Sequence, residues 1–265
     1  MKHTVESLFA ATRADDRAVL IGYLPAGFPD PITFADMARL AATSGIDIME
    51  IGVPADEPSC DGKIIREALE SVRLSGIDVG RALDLAGSVR LSGDIPVIAM
   101  SYWATVFRYG IDPFLRRCLE AKVDGILIPD LPLEWTGEVC GRLQHQNLAM
   151  AAFIASPAHA DLLLELGQCS FAFVYLRSSQ QTTGEDIDLS TALRSLSQVR
   201  HALARRPLPV AVGFGIQTAE EVATLADAGA DGVVVGTALV QACLNGPEAV
   251  AGLVRSLSAA TRRRG

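Results

Sequence analysis

The chain has 265 residues, of which 49% are hydrophobic, and its formal net charge is −8. This acidic balance argues against nucleic acid as a main partner, because phosphate backbones are bound by dense patches of lysine and arginine. The sequence contains no run of about 18 apolar residues, so it predicts no membrane span. The length suits either one α/β barrel, which needs roughly 250 residues, or two small domains.

Two features bear on the cellular compartment. The five cysteines are scattered, odd in number and without CxxC spacing: Cys60, Cys118, Cys140, Cys169 and Cys243. This pattern predicts reduced thiols and a cytoplasmic location, rather than disulfides or a zinc site. The N-terminal segment carries acidic residues where a signal peptide needs an unbroken apolar core. It predicts an amphipathic helix, with Val5, Leu8, Phe9 and Ala11 on its apolar side.

Short apolar, β-branched runs recur along the chain, and a loop and a helical pattern follow each of them. The strand candidates are 19–24, 47–51, 96–101, 125–129, 148–155, 171–176, 208–213 and 232–236. Eight strands is the number that a closed barrel needs. Their apolar runs are continuous, as in parallel strands that are covered on both faces. We therefore predict a (β/α)8 TIM barrel, with residues 1–265 forming a single domain.

The helical segments carry recognisable boundaries. Residues 30–45 begin with Asp-Pro, which caps a helix and opens its first turn, and they end in glycine. Residues 218–230 begin with Thr218 and have Glu221 three positions later, which is a capping box. Two helical patterns, 63–75 and 78–92, lie between the second and third strands. The sequence therefore predicts one extra helix in that connection.

An internal similarity supports the barrel. The segments "SGIDIMEIG", "AKVDGILIP" and "AGADGVVVG" share one layout, in which a helix end is followed by an aspartate and an apolar strand. The aspartates are Asp47, Asp124 and Asp231. Residues at the beginning of barrel strands lie at the bottom of the barrel and serve stability. We expect that role for these three.

Two carboxylates stand out in "IMEIGVPADEPSCDG". Glu50 lies near the end of the second strand among apolar residues, where an ionised carboxylate is costly unless its pKa rises or a partner compensates it. A raised pKa suits general acid–base catalysis, whereas a structural carboxylate would be paired with an arginine. Asp61 follows in the next loop, beside a glycine, and is either a turn residue or a second carboxylate at the barrel mouth.

Glycines at the last two strands predict an anion site. Gly213 and Gly215 lie between the seventh strand and a capped helix, and Gly236-Thr237 joins the eighth strand to another helix. Glycines before a helix expose backbone N–H groups, and this corner of a barrel is the usual phosphate site. The polar stretch 178–186, after the sixth strand, has the position of an active-site lid or of a plain solvent loop.

Lysine and histidine positions narrow the chemistry further. Of the three lysines, Lys2 is in the N-terminal tail, Lys122 precedes a strand, and Lys63 begins a helix, so no lysine is placed to form a buried Schiff base. None of the four histidines has metal-ligand spacing. These positions disfavour Schiff-base and metal-dependent aldol chemistry and leave carboxylate acid–base chemistry.

These residues resemble the tryptophan synthase alpha subunit family. The similar segments run in order from residue 7 to 240 and include "SLFAA", "LPAGFPD", "GIDIMEIGVP", "ILIPDLP", "VYLRSS…TTGE", "GFGI" and "DGVVVGTALV". The resemblance implies a carbon–carbon lyase that cleaves indole-3-glycerol phosphate to indole and glyceraldehyde 3-phosphate by a retro-aldol reaction. It implies no cofactor and no metal.

The resemblance also assigns roles to single residues. Glu50 would remove the proton from a glycerol hydroxyl and help to protonate the indole ring carbon, Asp61 would accept the indole N–H, and Tyr175 would lie beside Glu50. The phosphate cradle would consist of Gly184, Gly215, Gly236 and Thr237, in which threonine replaces the usual serine. The indole and glycerol pocket would be lined by Tyr23, Met100, Tyr102, Pro129 and Phe214, and Thr183 would belong to the lid.

The sequence departs from the family where the family's loops communicate with a beta subunit. The changed positions are Asp56-Glu57 for Ser-Asp, Lys63 for Pro, Arg66 for Gln, Gln181 for Gly and Ala104 for Asn. A beta subunit is therefore expected as a partner with an altered coupling surface. Two alternatives stay open: a weakly catalytic barrel that mainly activates a beta subunit, and another phosphate-sugar lyase or isomerase. The apolar pocket residues argue against a small sugar.

Overall fold

Eight parallel strands close into a barrel in the order β1 to β8. The structure is a computed structural model that describes residues 4–92, 94–144, 146–155, 169–177, 188–213 and 215–264. The strands are β1 (Val19–Pro25), β2 (Ile48–Gly52), β3 (Val97–Met100), β4 (Gly125–Leu127), β5 (Ala149–Ile154), β6 (Phe173–Arg177), β7 (Val210–Gly213) and β8 (Gly232–Val235). The barrel fold is confirmed, and all eight strands lie within two residues of their predicted bounds.

The helices surround this barrel. In the described residues they are α1 (Val5–Ala14), α2 (Pro31–Ser44), α3 (Lys63–Leu74), α4 (Val79–Ser92), α5 (Trp103–Tyr109), α6 (Ile111–Glu120), α7 (Leu133–Leu143), α8 (Leu189–Ala202), α9 (Ala219–Asp227), α10 (Thr237–Leu244) and α11 (Pro247–Ala259). The extra helix between β2 and β3 is confirmed, since α3 and α4 both lie there. None of the described helices combines the length and the apolar character that a bilayer crossing requires.

The helix caps form as their sequences predict. The Asp30 side chain accepts hydrogen bonds from the first backbone N–H groups of α2, and Thr218 with Glu221 forms the capping box of α9. The N-terminal helix is confirmed, but one residue of its apolar side is wrong. Ala11 is exposed, and Thr12 is buried in its place. The Thr12 hydroxyl is satisfied within the helix, because it donates to the carbonyl of Leu8.

The core has two parts, because successive strand residues point to opposite faces of the sheet. The larger part fills the space between the sheet and the helices. The smaller part fills the barrel and includes α1, whose Phe9 ring lies 5.1 Å from the Phe173 ring. Pairing of β1 with β2 sets Tyr23 opposite Glu50, and pairing of β2 with β3 sets Glu50 opposite Ile98. These three residues share one layer, which places Glu50 inside the barrel.

The three aspartates of the internal similarity join neighbouring strands at the bottom of the barrel. Asp47 accepts a hydrogen bond from the backbone N–H of Leu20 at 2.8 Å, Asp124 from Val97 at 2.9 Å, and Asp231 from Val210 at 2.9 Å. Each aspartate also pairs with arginine: Arg17 with Asp47, Arg90 with Asp124, and both Arg13 and Arg200 with Asp231. The predicted bottom position and structural role are confirmed.

A disulfide corrects the prediction for the cysteines. Cys140, near the end of α7, is bonded to Cys169, which precedes β6, with 5.3 Å between their Cα atoms. The prediction of reduced thiols is wrong for this pair, because β5 and β6 are neighbours and bring their flanking segments together. Cys60, Cys118 and Cys243 are free.

Candidate active site

A cavity at the carboxyl end of the barrel receives a residue from every strand or from the loop that follows it. It is lined by Tyr23, Glu50, Asp61, Ile65, Met100, Leu127, Pro129, Phe153, Tyr175, Gly215, Ile216, Val234, Gly236 and Thr237. Loops at this end carry the active sites of such barrels. A cavity of about 670 Å³ at the opposite end is bordered by Arg90 and Asp124, which form an ion pair with each other. The cavity at the carboxyl end is therefore the candidate active site.

Glu50 lies in this cavity without a compensating cation from the described residues. Its side chain is buried, its Oε2 atom has no hydrogen-bond partner, and no ion pair among the described residues includes it. Burial, followed by the charge of Asp61, raises the pKa of Glu50 to about 8. The arrangement disagrees with the alternative of a structural carboxylate paired with arginine. A carboxyl group with this pKa can hold or release a proton near neutral pH.

Asp61 reaches the same cavity from the loop between β2 and α3. The Tyr102 hydroxyl donates a hydrogen bond to Asp61 Oδ2 at 2.7 Å and accepts one from the backbone N–H of Cys60 at 3.2 Å. Burial raises the pKa of Asp61 to about 6, although the hydrogen bond from Tyr102 and the charge of Arg66 act in the opposite direction. The residue therefore does more than form an Asp-Gly turn, and it is ionised at neutral pH.

Tyr102 contacts the site through Asp61. It is buried and binds Asp61, but it is absent from the residues that line the cavity. Its backbone forms the N-terminal boundary of α5, and its hydroxyl contacts Cys60 and Asp61 of the loop after β2. We therefore describe it as a residue that positions Asp61 rather than as part of the pocket wall.

Three of the predicted wall residues line the cavity, with Tyr175 beside them. Tyr23, Met100 and Pro129 border it, and Tyr175 is buried beside Phe153 with 5.6 Å between the ring centres. Burial, together with the charge of Glu50, raises the pKa of Tyr175 well above its usual value. The hydroxyl of Tyr175 is therefore protonated at neutral pH.

The predicted phosphate corner is only partly within the described residues. Gly215, Gly236 and Thr237 line the cavity, and Gly215 has a φ of 80°, which favours glycine. Thr237 opens α10, and its buried Oγ1 has no partner in the described part of the chain. An oxygen-bearing ligand at this helix start would supply one. Gly184 of the predicted phosphate cradle lies outside the described residues, as do Phe214 of the predicted indole and glycerol pocket and Thr183 with the predicted lid 178–186.

The sequence analysis missed five residues of the cavity wall. They are Ile65, Leu127, Phe153, Ile216 and Val234. The alternation of strand side chains could have indicated Leu127, because it lies two positions before Pro129 and therefore on the same face. Ile65 belongs to α3, and no pattern within its helix distinguishes it from the other buried residues there. Lys63 is 81% exposed, so its amine is not a group of this cavity.

Known proteins resemble the chain over almost its full length. A family model described as tryptophan synthase alpha chain matches residues 9–262. The tryptophan synthase alpha chain of Mycobacterium marinum is 35% identical over 257 residues, which cover 97% of this chain and 94% of that protein. The protein of the same name from Lachnospira eligens is 34% identical over 240 residues, or 89% of each chain.

Solved structures agree with the sequence relatives. A structure of Mycobacterium tuberculosis tryptophan synthase matches with a TM-score of 0.87 and 32% identity, covering 97% of this chain and 98% of the matched chain. A structure of the tryptophan synthase alpha chain from Legionella pneumophila matches with a TM-score of 0.83 and 27% identity, covering 98% of both chains.

Proposed function

Because this chain belongs to the tryptophan synthase alpha chain family, we propose that Glu50 and Asp61 divide the acid–base work of the family's reaction. The chain is a lyase that cleaves indole-3-glycerol phosphate to indole and glyceraldehyde 3-phosphate in tryptophan biosynthesis. One observation carries the assignment of roles: two buried carboxyl groups share one cavity, with pKa values near 8 and 6. Pairs of groups with separated pKa values are suited to opposite roles.

In the first step Glu50 acts as the acid. At neutral pH it carries a proton, because burial holds its pKa at about 8. It transfers this proton to the indole ring carbon that bears the glycerol chain. Positive charge then develops on the ring nitrogen, and the Asp61 carboxylate accepts the N–H hydrogen bond and stabilises that charge.

In the second step Glu50, now ionised, acts as the base. It removes the proton from the hydroxyl on the carbon attached to the ring. The bond between that carbon and the indole breaks, its electron pair returns to the ring, and a carbonyl group forms in the aldehyde product. Glu50 ends with one proton, as it began, so the proton count of the cycle closes.

The corner at β7 and β8 binds the phosphate in this proposal. Gly215, Gly236 and Thr237 support it, because the unpartnered Thr237 hydroxyl and the start of α10 face the same cavity. An anion at a helix N-terminus gains hydrogen bonds and a favourable dipole interaction. Tyr23, Met100 and Pro129 then border the indole and glycerol parts of the substrate, as does Tyr175. Phe214, Gly184 and Thr183 keep the roles that the resemblance gives them, as proposals.

Indole release from indole-3-glycerol phosphate by wild type and Glu50→Gln tests the proposal. Loss of one acid–base group costs roughly 10²–10⁴-fold in rate, so we expect a loss of kcat in that range. Glu67→Gln is the matched control, because Glu67 is 66% exposed on α3. A Glu50→Gln enzyme as fast as wild type would refute the assigned role.

A beta subunit is the macromolecular partner that we propose. Trp103, Phe107 and Trp135 form an aromatic cluster with ring centres 5.3–5.5 Å apart, and Phe107 is 55% exposed. Exposed aromatic clusters are typical of protein interfaces. Titration with the beta subunit of the same organism should show weaker binding for Phe107→Ala than for Leu244→Ala, an exposed control at the end of α10. Equal binding by both variants would place the interface elsewhere.

We also propose that residues 1–265 act as one domain in the cytoplasm. The closed barrel and the core between its sheet and its helices support the single domain. The three free cysteines support a cytoplasmic location, whereas the disulfide argues against it.

A further inference from the structure

Unpartnered polar atoms concentrate in the active site. In the described residues, five buried side-chain oxygen or nitrogen atoms have no hydrogen-bond partner: Tyr23 Oη, Glu50 Oε2, Ser101 Oγ, Arg142 Nε and Thr237 Oγ1. Three of the five belong to residues that line the one cavity, namely Tyr23, Glu50 and Thr237. A buried polar group without a partner is costly, and a ligand that supplies the partner removes this cost.

Tyr23 occupies a fixed place between the two halves of the site. Its ring lies against Gly236 at the phosphate corner, and its hydroxyl lies over Gly52 at the end of β2, where a Cβ atom would overlap it. The strand register sets Tyr23 directly beside Glu50. The hydroxyl is therefore held near the acid–base group, while its ring extends back toward the phosphate corner.

The chemistry of Tyr23 differs from that of Tyr102. The Tyr102 hydroxyl has two partners, Asp61 and the backbone of Cys60, whereas the Tyr23 hydroxyl has none in the described part of the chain. Burial raises the pKa of Tyr23 well above its usual value, and the charges of Asp61 and Glu50 act in the same direction. Tyr23 is therefore a neutral phenol that can both donate and accept a hydrogen bond.

The polar groups of the substrate leave one partner for this phenol. The proposed function assigns the indole N–H to Asp61, the hydroxyl next to the ring to Glu50, and the phosphate to the corner of Gly215, Gly236 and Thr237. The hydroxyl on the middle carbon of the glycerol chain is then unassigned. This hydroxyl lies between the reacting carbon and the phosphate. The Tyr23 side chain spans the same region, from Gly236 at the phosphate corner to Gly52 near Glu50.

We infer that the Tyr23 hydroxyl binds the middle-carbon hydroxyl of indole-3-glycerol phosphate and makes the enzyme specific for a substrate that carries it. The inference rests on the proposed function, because it uses the roles of Glu50, Asp61 and the phosphate corner. A site built to hydrogen-bond a substrate hydroxyl discriminates against an analogue that lacks it, because its own polar group then stays unpaired.

The test is a two-by-two comparison of enzyme and substrate. Wild type and Tyr23→Phe are assayed with indole-3-glycerol phosphate and with its analogue that lacks only the middle-carbon hydroxyl. With the natural substrate, Tyr23→Phe should lower kcat/KM roughly 3–10-fold, as for loss of one hydrogen bond to a neutral group. With the deoxy analogue, the two enzymes should differ by less than 2-fold. Tyr109→Phe serves as the control, because Tyr109 is 38% exposed on α5.

Each other outcome has a defined meaning. An equal loss with both substrates would overturn the inference, because Tyr23 would then act through Glu50 or through packing. No loss with either substrate would overturn it as well. Failure of the proposed function is distinguishable, because wild type would then cleave neither substrate. Binding of indole-3-propanol phosphate, which has no glycerol hydroxyl, should be equal for the two enzymes and verifies that the variant pocket is intact.

Discussion

Glu50 and Asp61 are the same kind of acid, and their surroundings give them different protonation states. Asp61 receives a hydrogen bond from Tyr102 and the attraction of Arg66, which oppose the effect of burial on its pKa. Glu50 has neither, and the charge of Asp61 adds to the effect of burial. At neutral pH Glu50 therefore carries a proton and Asp61 a negative charge, which is the state that the first catalytic step requires.

The pH dependence of kcat/KM should be bell-shaped. Below about pH 6 Asp61 takes up a proton and no longer stabilises the charge on the indole nitrogen. Above about pH 8 Glu50 loses the proton that it must donate. Assays of indole release between pH 5 and 9 should locate both limbs, which report the free enzyme. A flat profile over this range would contradict the assignment.

The stability of the protein should also depend on Glu50. Its pKa rises from 4.5 to about 8 on folding, so the folded state binds the proton more tightly. This stabilisation is complete below pH 4.5 and is lost as the pH rises through 8. Glutamine does not titrate, so Glu50→Gln does not lose stability in this way. The free energy of unfolding of the variant minus that of wild type should therefore increase by roughly 3–4 kcal/mol from pH 5 to pH 8. Urea unfolding at both pH values measures this, and Glu67→Gln should show no such change.

Single residues were predictable where the sequence context is unusual. Glu50 stands out because a charged residue interrupts an apolar strand. The hydrogen bond from Tyr102 to Asp61 was not predictable, because it joins residues 41 positions apart and depends on how the loop folds back. Ile65 was missed because its contribution depends on the angle at which α3 meets the barrel.

At the scale of elements, the loop between β2 and α3 is held by its own chain. Arg108 on α5 forms an ion pair with Asp56 at 2.5 Å, and Tyr102 holds the other end of the loop through Cys60 and Asp61. Asp56 is one of the positions where the chain departs from its family. The aspartate at this position therefore creates a contact between the loop and α5, although both side chains of the ion pair are exposed.

The ion pair of Arg90 with Asp124, at the start of β4, should contribute far more to stability than the exposed pair of Arg108 with Asp56. The Arg90 side chain is 6% exposed and lies 2.6 Å from Asp124, which also accepts a hydrogen bond from Val97. Among the described residues, Asp124→Ala leaves the buried cation of Arg90 with the more distant Asp94 as its acidic partner, so we expect a loss of about 3 kcal/mol in the free energy of unfolding. Asp56→Ala is the matched control, for which we expect a loss of less than about 1 kcal/mol in the free energy of unfolding. Denaturant unfolding compares them, and equal losses would contradict this reasoning.

Helices were predictable where their boundaries carry capping residues. The bounds of α2 and α9 follow from Asp30-Pro31 and from the Thr218 capping box. Helix α5 was not predicted, because it has seven residues and its preceding residue, Tyr102, provides no side-chain cap. The backbone N–H of Trp103 at its start donates to Asp130, which lies 27 positions away after β4, so no local signal marks this helix.

At the scale of the whole molecule, the barrel encloses one core and the helices cover another. The number of strands and their parallel order follow from eight apolar runs separated by helices. The disulfide could not be predicted, because its cysteines are 29 residues apart and meet only when β5 and β6 pair. Sequence spacing alone gives no signal for such a contact.

Reduction of this disulfide should destabilise the protein. A bond that closes a loop of this length stabilises by about 3–4 kcal/mol, chiefly by restricting the unfolded chain. Thermal unfolding with and without reductant should therefore show a lower Tm in reductant, and Cys169→Ser should have the low Tm in both conditions. Cys60→Ser, which leaves the bond intact, should still respond to reductant. A wild-type Tm that is the same in both conditions would show that these cysteines do not form the bond in solution.

The aspartates at the bottom of the barrel also group the eight strands into pairs. They join β1 to β2, β3 to β4, and β7 to β8. At each junction the backbone N–H of the aspartate donates to the carbonyl of the residue whose own N–H its side chain accepts. At the junction of β5 and β6, Ala172 makes the same backbone contact to Met150 without a carboxylate. The barrel can thus be divided into four consecutive two-stranded units, three of which are joined at the bottom by an aspartate side chain and the fourth, at Ala172, by the backbone contact alone.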